Sequence, residues 1–272
     1  MNESVEKVAP SLFVEARRCL DACSLEDKTS LTQQLAAAWR RGELSLREQQ
    51  PPQTAVTAGH PQNPQLVAPR DLPKRSFYTP VGRAALFHSI AHIEFNAINL
   101  ALDAVYRFRG MPESFYGDWL KVADEEAYHF GLIRAHLQQL GYEYGDFTAH
   151  SGLWESAQQT AYDVMVRMAL VPRVLEARGL DVAPAIMERL ARTGDDEAVE
   201  ILKIIQRDEI GHVEIGSRWF HHCCAERGLD SEATFFDLIN QYMKGVLKGP
   251  FNIEARLKAG FSASELNKLQ GV

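Results

Sequence analysis

The chain has 272 residues, 46% of them hydrophobic, and a formal net charge of -7. That length and apolar content suit a packed globular core, and charged residues interrupt every apolar stretch well before the about 18 residues a membrane span needs. A net negative field opposes phosphate backbones, so nucleic acid is disfavoured as a partner, and no membrane association is expected. The opening MNESVEKVAPSLFVEA carries glutamates and no continuous apolar run, unlike a secretory signal, so the expected location is cytoplasmic. Cys19, Cys23, Cys223 and Cys224 lack the two-residue gap of a zinc knuckle and are read as free thiols.

In chain order, LFVEARRCLDAC and LTQQLAAAWRRGEL show helical spacing and predict two short helices between residues 8 and 47. Residues 50–80 hold Pro51, Pro52, Pro61, Pro64, Pro69, Pro73 and Pro80. Proline removes amide donors and fixes φ, so this stretch is expected to be an extended connector wrapping over the body of the protein. Long helices follow near 81–109, 113–140, 154–180 and 196–227, separated by Gly110-Met111-Pro112, by Gly141 to Gly152, and by Gly179 to Gly194 with a short helical piece at 184–192. Asp195 is the expected N-cap of the fourth. One more helix is expected near 231–247 and a last short one near Ser262. The domain reading is therefore short helices and a Pro-rich connector over 1–80, a four-helix bundle over 81–228, and a C-terminal helix and tail packed on the bundle over 229–272. The fold class is all-α.

Each long helix carries a glutamate where its core stripe should be. In the first, Glu94 is centred on Phe87, Ile90, Ala91, Ile98 and Ala101; in the second, Glu126 lies among Trp119, Val122, Phe130 and Ile133 with His129 at the edge. In the third, Tyr162, Met165, Ala169 and Pro172 share a face with Glu176; in the fourth, Leu202, Ile205, Val213, Gly216 and Phe220 share one with Glu209 and His212. A buried carboxylate is costly unless it is paired or bound to metal. Glu126-Ala-Tyr-His129 and Glu209-Ile-Gly-His212 each put a carboxylate and an imidazole on one helix face. The set is duplicated: Glu94 precedes Glu126 by 32 residues and Glu176 precedes Glu209 by 33. Four carboxylates balance two divalent ions, and oxygen and imidazole donors without thiolate suit iron or manganese.

Glu94, Glu126-Ala-Tyr-His129, Glu176 and Asp208-Glu209-Ile-Gly-His212 resemble the ligand set of the ferritin-like superfamily of di-metal carboxylate proteins, in a bacterial branch of it. The resemblance implies a ferritin-like four-helix bundle with N- and C-terminal extensions. It implies that Glu94 and Glu176 each bind one ion, that Glu126 and Glu209 bridge, and that His129 and His212 complete the two shells. It also implies that Asp208 holds His129 and that Glu125 holds His212, with Glu in place of the usual Asp at 125.

Other features read more plainly. His88 and His92 project away from Glu94 and form a surface or partly buried pair; His136 reads as ordinary, and His221-His222 as a solvated helix end. Pro172 inside a helix and Gly211 and Gly216 near the ligands open room beside the ions or allow close helix packing. The expected function is a di-iron, or manganese or mixed Mn/Fe, oxidoreductase of monooxygenase type. It would use O₂ or peroxide on a small-molecule substrate, with room for an electron-donor protein and for a homodimer. The alternatives are a ferritin-like iron-binding or oxidative-stress protein without organic substrate, a scaffold keeping metal for stability alone, and an enzyme like the superfamily's tRNA hydroxylases. Arg70, Lys74, Arg75 and Arg83 are a candidate basic patch for that last class.

Overall fold

A computed structural model of the protein describes residues 9–47, 50–54, 56–243 and 247–271, and among these the regular structure is helical, with two isolated β-bridges and no strand. The elements are α1 (Leu12–Asp21), α2 (Leu25–Arg40), α3 (Pro80–Arg107), α4 (Glu113–Gln139), α5 (Gly152–Gln159), α6 (Val164–Leu170), a π-helical turn (Val171–Glu176), α7 (Ala177–Ala191), α8 (Asp196–Glu226), α9 (Ser231–Met243), α10 (Ile253–Lys258) and α11 (Ala263–Gln270). The chain clusters into two compact units, Met1–Asn63 with Glu94–Tyr128, and Pro64–Ile93 with His129–Val272, so the division falls inside α3 and α4. No described helix is long and apolar enough to cross a membrane.

In the first unit, α1 and α2 are held by pieces of backbone and by one buried cation. The Ser24 hydroxyl accepts from Asp27 N–H and starts α2. Leu12 N–H donates to Ser45 O (2.9 Å), closing the pair at its open end. Lys28, fully buried, donates from Nζ to Leu20 O and to Asn99 Oδ1, both at 2.7 Å, and so ties both helices to α3. Burial pushes its pKa down to about 7. Phe13 is an aromatic anchor: the Tyr116 ring meets it edge-on at 5.3 Å and the Arg109 guanidinium lies 3.7 Å from its centroid.

Among its described residues the proline-rich stretch carries one 3₁₀ turn, at Pro69–Asp71, before α3 begins. Gln53 N–H donates to the Tyr106 hydroxyl (3.0 Å), and Gly59 N–H donates to Leu20 O (2.8 Å). Gly59 is required there, because a Cβ would lie 2.3 Å from Asp21 O. Further on, Val67 N–H donates to Ala149 O and Ala149 N–H to Gln65 O, pairing the connector with the loop after α4.

The third predicted helix is drawn differently. It breaks at 160–163, where the Thr160 hydroxyl turns back onto Ser156 O and Asp163 accepts from Met165 N–H to start a new helix. From Val164 the chain then stays helical to Ala191, passing straight through Gly179 and Pro184. Tyr162, expected on the face shared with Glu176, lies in the break and is exposed. Helix-breaking residues were overridden here by tertiary support: the buried Asp181 of α7 accepts from Arg256 Nε (2.9 Å) and Nη2 (2.8 Å) and from Asn252 N–H (2.9 Å). α9 is described to Met243, and the rest of its predicted span to 247 includes 244–246, which lie outside the described residues.

Candidate metal centre

Helix α4 shows how a carboxylate comes to sit in a core. Trp119, Val122, Ala123, Phe130, Ile133 and Leu137, which lie three, four, seven or eleven residues from Glu126, are all buried. Glu126 lies in the middle of that stripe and is 0% exposed, as is His129 one turn later. On α3, Glu94 is 3% exposed between buried Ala91 and Ile98. The apolar residues that drive these helices inward leave the polar ones no choice of environment.

Of the other half of the candidate ligand set, Glu176 lies in the π-turn and Glu209 and His212 lie on α8. Pro172 has no N–H to give and its ring crowds the carbonyl four residues back, which disfavours a regular helix; here the chain takes a π-turn over Val171–Glu176. The ring then packs on α8 at Gly216, where a Cβ would lie 2.2 Å from Pro172 Cγ. Of the two readings of Gly216, close packing is the one observed. Gly211 has nothing within 4 Å of a Cβ and is not explained by packing. Gly216 follows His212 by four residues and Glu209 by seven, so the Pro172 contact lies on the helix face that carries both. Glu176 ends the π-turn and is half-buried.

Glu94, Glu126, His129 and Glu209 form a group that could hold a metal ion: one ligand atom from each lies within 4.8 Å of those of the other three. Glu176 and His212 are not in that tight set. His212 is fully buried, its Nδ1 is 3.6 Å from Glu209 Oε1, and its ring centroid is 5.8 Å from that of His129. Asp208 Oδ2 accepts from His129 Nε2 at 3.1 Å, which makes Nε2 the protonated nitrogen and leaves the lone pair on Nδ1. Arg207 holds the same carboxylate from the side, with Nε to Oδ1 at 2.8 Å and Nη2 to Oδ2 at 3.0 Å. Burial opposes ionisation of Asp208, yet the hydrogen bonds from Arg207 and His129 hold its pKa below the ordinary carboxylate value. Sequence reading did not single out Arg207; a basic residue beside the acid expected to orient a ligand is the signal that was there. Glu125 accepts from Lys121 Nζ at 2.6 Å on one oxygen.

The donor chemistry fits a hard or borderline divalent ion. Three carboxylates and one imidazole in so small a volume are net negative when ionised, whatever the imidazole's state, and no thiolate is among them. His88 and His92 have partners elsewhere. His88 Nε2 accepts from Gly145 N–H (2.9 Å) and the ring stacks on Tyr144 at 5.2 Å. His92 bonds the Tyr144 hydroxyl (2.8 Å) through Nδ1 and His150 O (3.0 Å) through Nε2. The pair fastens the loop after α4 and is structural. Of the four cysteines, all free, Cys23 is exposed and the others are buried.

Comparison with known proteins agrees in extent with this description. Residues 21–267 match the family described as "Protein of unknown function (DUF455)", and the chain belongs to that family. It is 55% identical over 217 residues to an "Uncharacterized protein" of Haemophilus influenzae, covering 77% of this chain and 75% of the relative. No solved structure matches it.

Proposed function

We propose that the protein is a di-metal carboxylate oxidoreductase of ferritin-like type, with Glu94, Glu126, His129, Glu176, Glu209 and His212 as ligands of two ions, iron first and manganese or a mixed pair next. The observation that carries the reading is the convergence of Glu94, Glu126, His129 and Glu209 within 4.8 Å in a largely buried setting. Divalent ions would offset the like charges that these carboxylates bring together. On the resemblance, Glu126 and Glu209 would be shared by the two ions, with Glu94 and His129 helping to hold one and Glu176 and His212 the other. Ligand atoms on opposite sides of an ion pair stand farther apart than those on a single ion, which accounts for Glu176 and His212 falling outside the tight set.

Bound iron or manganese would supply electron exchange with O₂ or peroxide. The chain's own groups bind and orient. Asp208 and Arg207 fix the tautomer and ring plane of His129. The Pro172–Gly216 contact brings the π-turn against the ligand face of α8. The apolar stripes of α3 and α4 exclude water around Glu94 and Glu126.

The test is oxygen consumption by Fe(II)-loaded protein, with and without excess reductant. Consumption sustained by reductant supports an oxidoreductase. Stoichiometric uptake followed by mineral formation replaces it with iron handling. Failure to bind metal at all removes both and leaves a helical scaffold.

A further inference from the structure

The π-turn is a costly piece of backbone, and the structure shows what holds it. Arg173 sits in its middle and is 0% exposed. Its guanidinium carbon lies 4.2 Å from the centroid of Phe235, 4.5 Å from Phe261 and 4.9 Å from Phe220. Nη2 donates to Glu265 Oε1 at 2.7 Å, while Nε and Nη1 make no hydrogen bond among the described residues. Glu265, 2% exposed, is fixed in turn: its other oxygen accepts from Ser262 N–H (2.7 Å) in the capping box of α11. A second buried pair lies just beyond the turn, where Arg256 of α10 grips Asp181 of α7 at 2.8 and 2.9 Å. The C-terminal helices therefore hold this helix at two points, one inside the π-turn and one five residues past its end.

The extra residue of a π-turn rotates everything after it by about 100° relative to an unbroken α-helix. A turn that relaxed to α geometry would swing Asp181 away from Arg256, so the two pairs together select the π register. Glu176 lies between them and takes its direction from the same register.

We propose that α10 and α11 form a clamp whose Arg173–Glu265 pair is a positioning device for Glu176, making uptake of the second ion depend on a segment about 90 residues further along the chain. The inference rests on Glu176 being a ligand of a two-ion centre. The clamp accounts for a buried charged pair in an aromatic setting where an apolar side chain would serve stability equally well.

The experiment is calorimetric titration of metal-free protein with Mn(II), with electron paramagnetic resonance at two equivalents. The variants are Glu265→Gln, which keeps an oxygen for the Ser262 N–H cap but removes the counter-charge, and Arg173→Met. Leu20→Ala, in the core of α1, controls for general loosening. Wild type is expected to bind two ions and give a spin-coupled signal. In the two clamp variants the second ion should bind on the order of tenfold or more weaker, with the first within about twofold, and an isolated Mn(II) signal should appear. Leu20→Ala should retain both ions. Second-site affinity unchanged in folded Glu265→Gln overturns the clamp alone, as does equal weakening in Leu20→Ala. Wild type that binds a single ion overturns the two-ion reading and the clamp with it. If Arg173→Met does not fold, Glu265→Gln decides.

Discussion

The protein buries charge in two ways. At the C-terminal clamp each carboxylate has a guanidinium within 2.9 Å: Glu265 with Arg173, and Asp181 with Arg256. At Glu94, Glu126, His129 and Glu209 the converging groups are three acids and one imidazole. In the first arrangement each buried acid is paired in charge with a guanidinium of the same chain. The second gathers more acids than bases among the groups that could hold a metal ion, and a cation is the occupant proposed for it. The contrast teaches that a buried acid is informative through the sign of its neighbours more than through its burial.

The comparison can be broken by removing one charge at each place. Glu265→Ala should lower the unfolding free energy by about 3–5 kcal/mol, because it strands a buried guanidinium. Glu126→Gln should do the reverse in metal-free protein, leaving the denaturation midpoint unchanged or raised, while metal content falls sharply. Equal destabilisation in both variants, measured by denaturant unfolding of the metal-free forms, would mean that the two places are the same kind of ion network.

Gly216→Ala sharpens the account of the π-turn. The added methyl would overlap the Pro172 ring, with atoms at 2.2 and 2.3 Å, and overpacking of this kind costs about 1–3 kcal/mol. Metal content should fall with it; a fully stable Gly216→Ala protein would show that α8 does not need the close approach. Asp208→Asn should leave the fold intact and weaken metal binding by about 10–100-fold, less than loss of a ligand, because the change touches only the orientation of His129. Unchanged metal affinity would assign Asp208 to the surface pair with Arg207 alone.

How much of this was legible beforehand follows from what kind of signal each part leaves. Glu126 and His129 were readable because a polar residue on an otherwise apolar stripe contradicts its own surroundings within one helix. The contact of Asp208 with His129 was expected only through the superfamily resemblance, since nothing local distinguishes that acid from Asp124 or Asp196. The break at Thr160 and the unbroken helix through Gly179 and Pro184 were misread. At Gly179 and Pro184 local propensity is overruled by partners more than 70 residues away, Asn252 and Arg256 on Asp181. The aromatic cage of Arg173 comes from three separate stretches of sequence, and no spacing rule announces it.

The smallest expected effect separates the structural histidines from the candidate ligands. Burial, with His92 and Arg75 adding to it against Asp146, pushes the His88 pKa from 6.5 down to about 4. His88 is therefore neutral in the folded protein, and its contribution to stability is complete above pH 6.5 and lost as pH falls towards 4. The melting midpoint of wild type should drop across that window, and by less in His88→Gln, whose amide oxygen can still accept from Gly145 N–H. Metal content of His88→Gln should equal that of wild type.

The central claim is that the carboxylate and imidazole group is a metal site, and thermal melting of metal-free protein against anaerobic Fe(II) or Mn(II) tests it most directly. An ion bound by the folded form alone raises the midpoint progressively with its concentration. The account predicts that rise in wild type and its loss in Glu126→Ala and Glu209→Ala. A midpoint indifferent to both metals in wild type would contradict it.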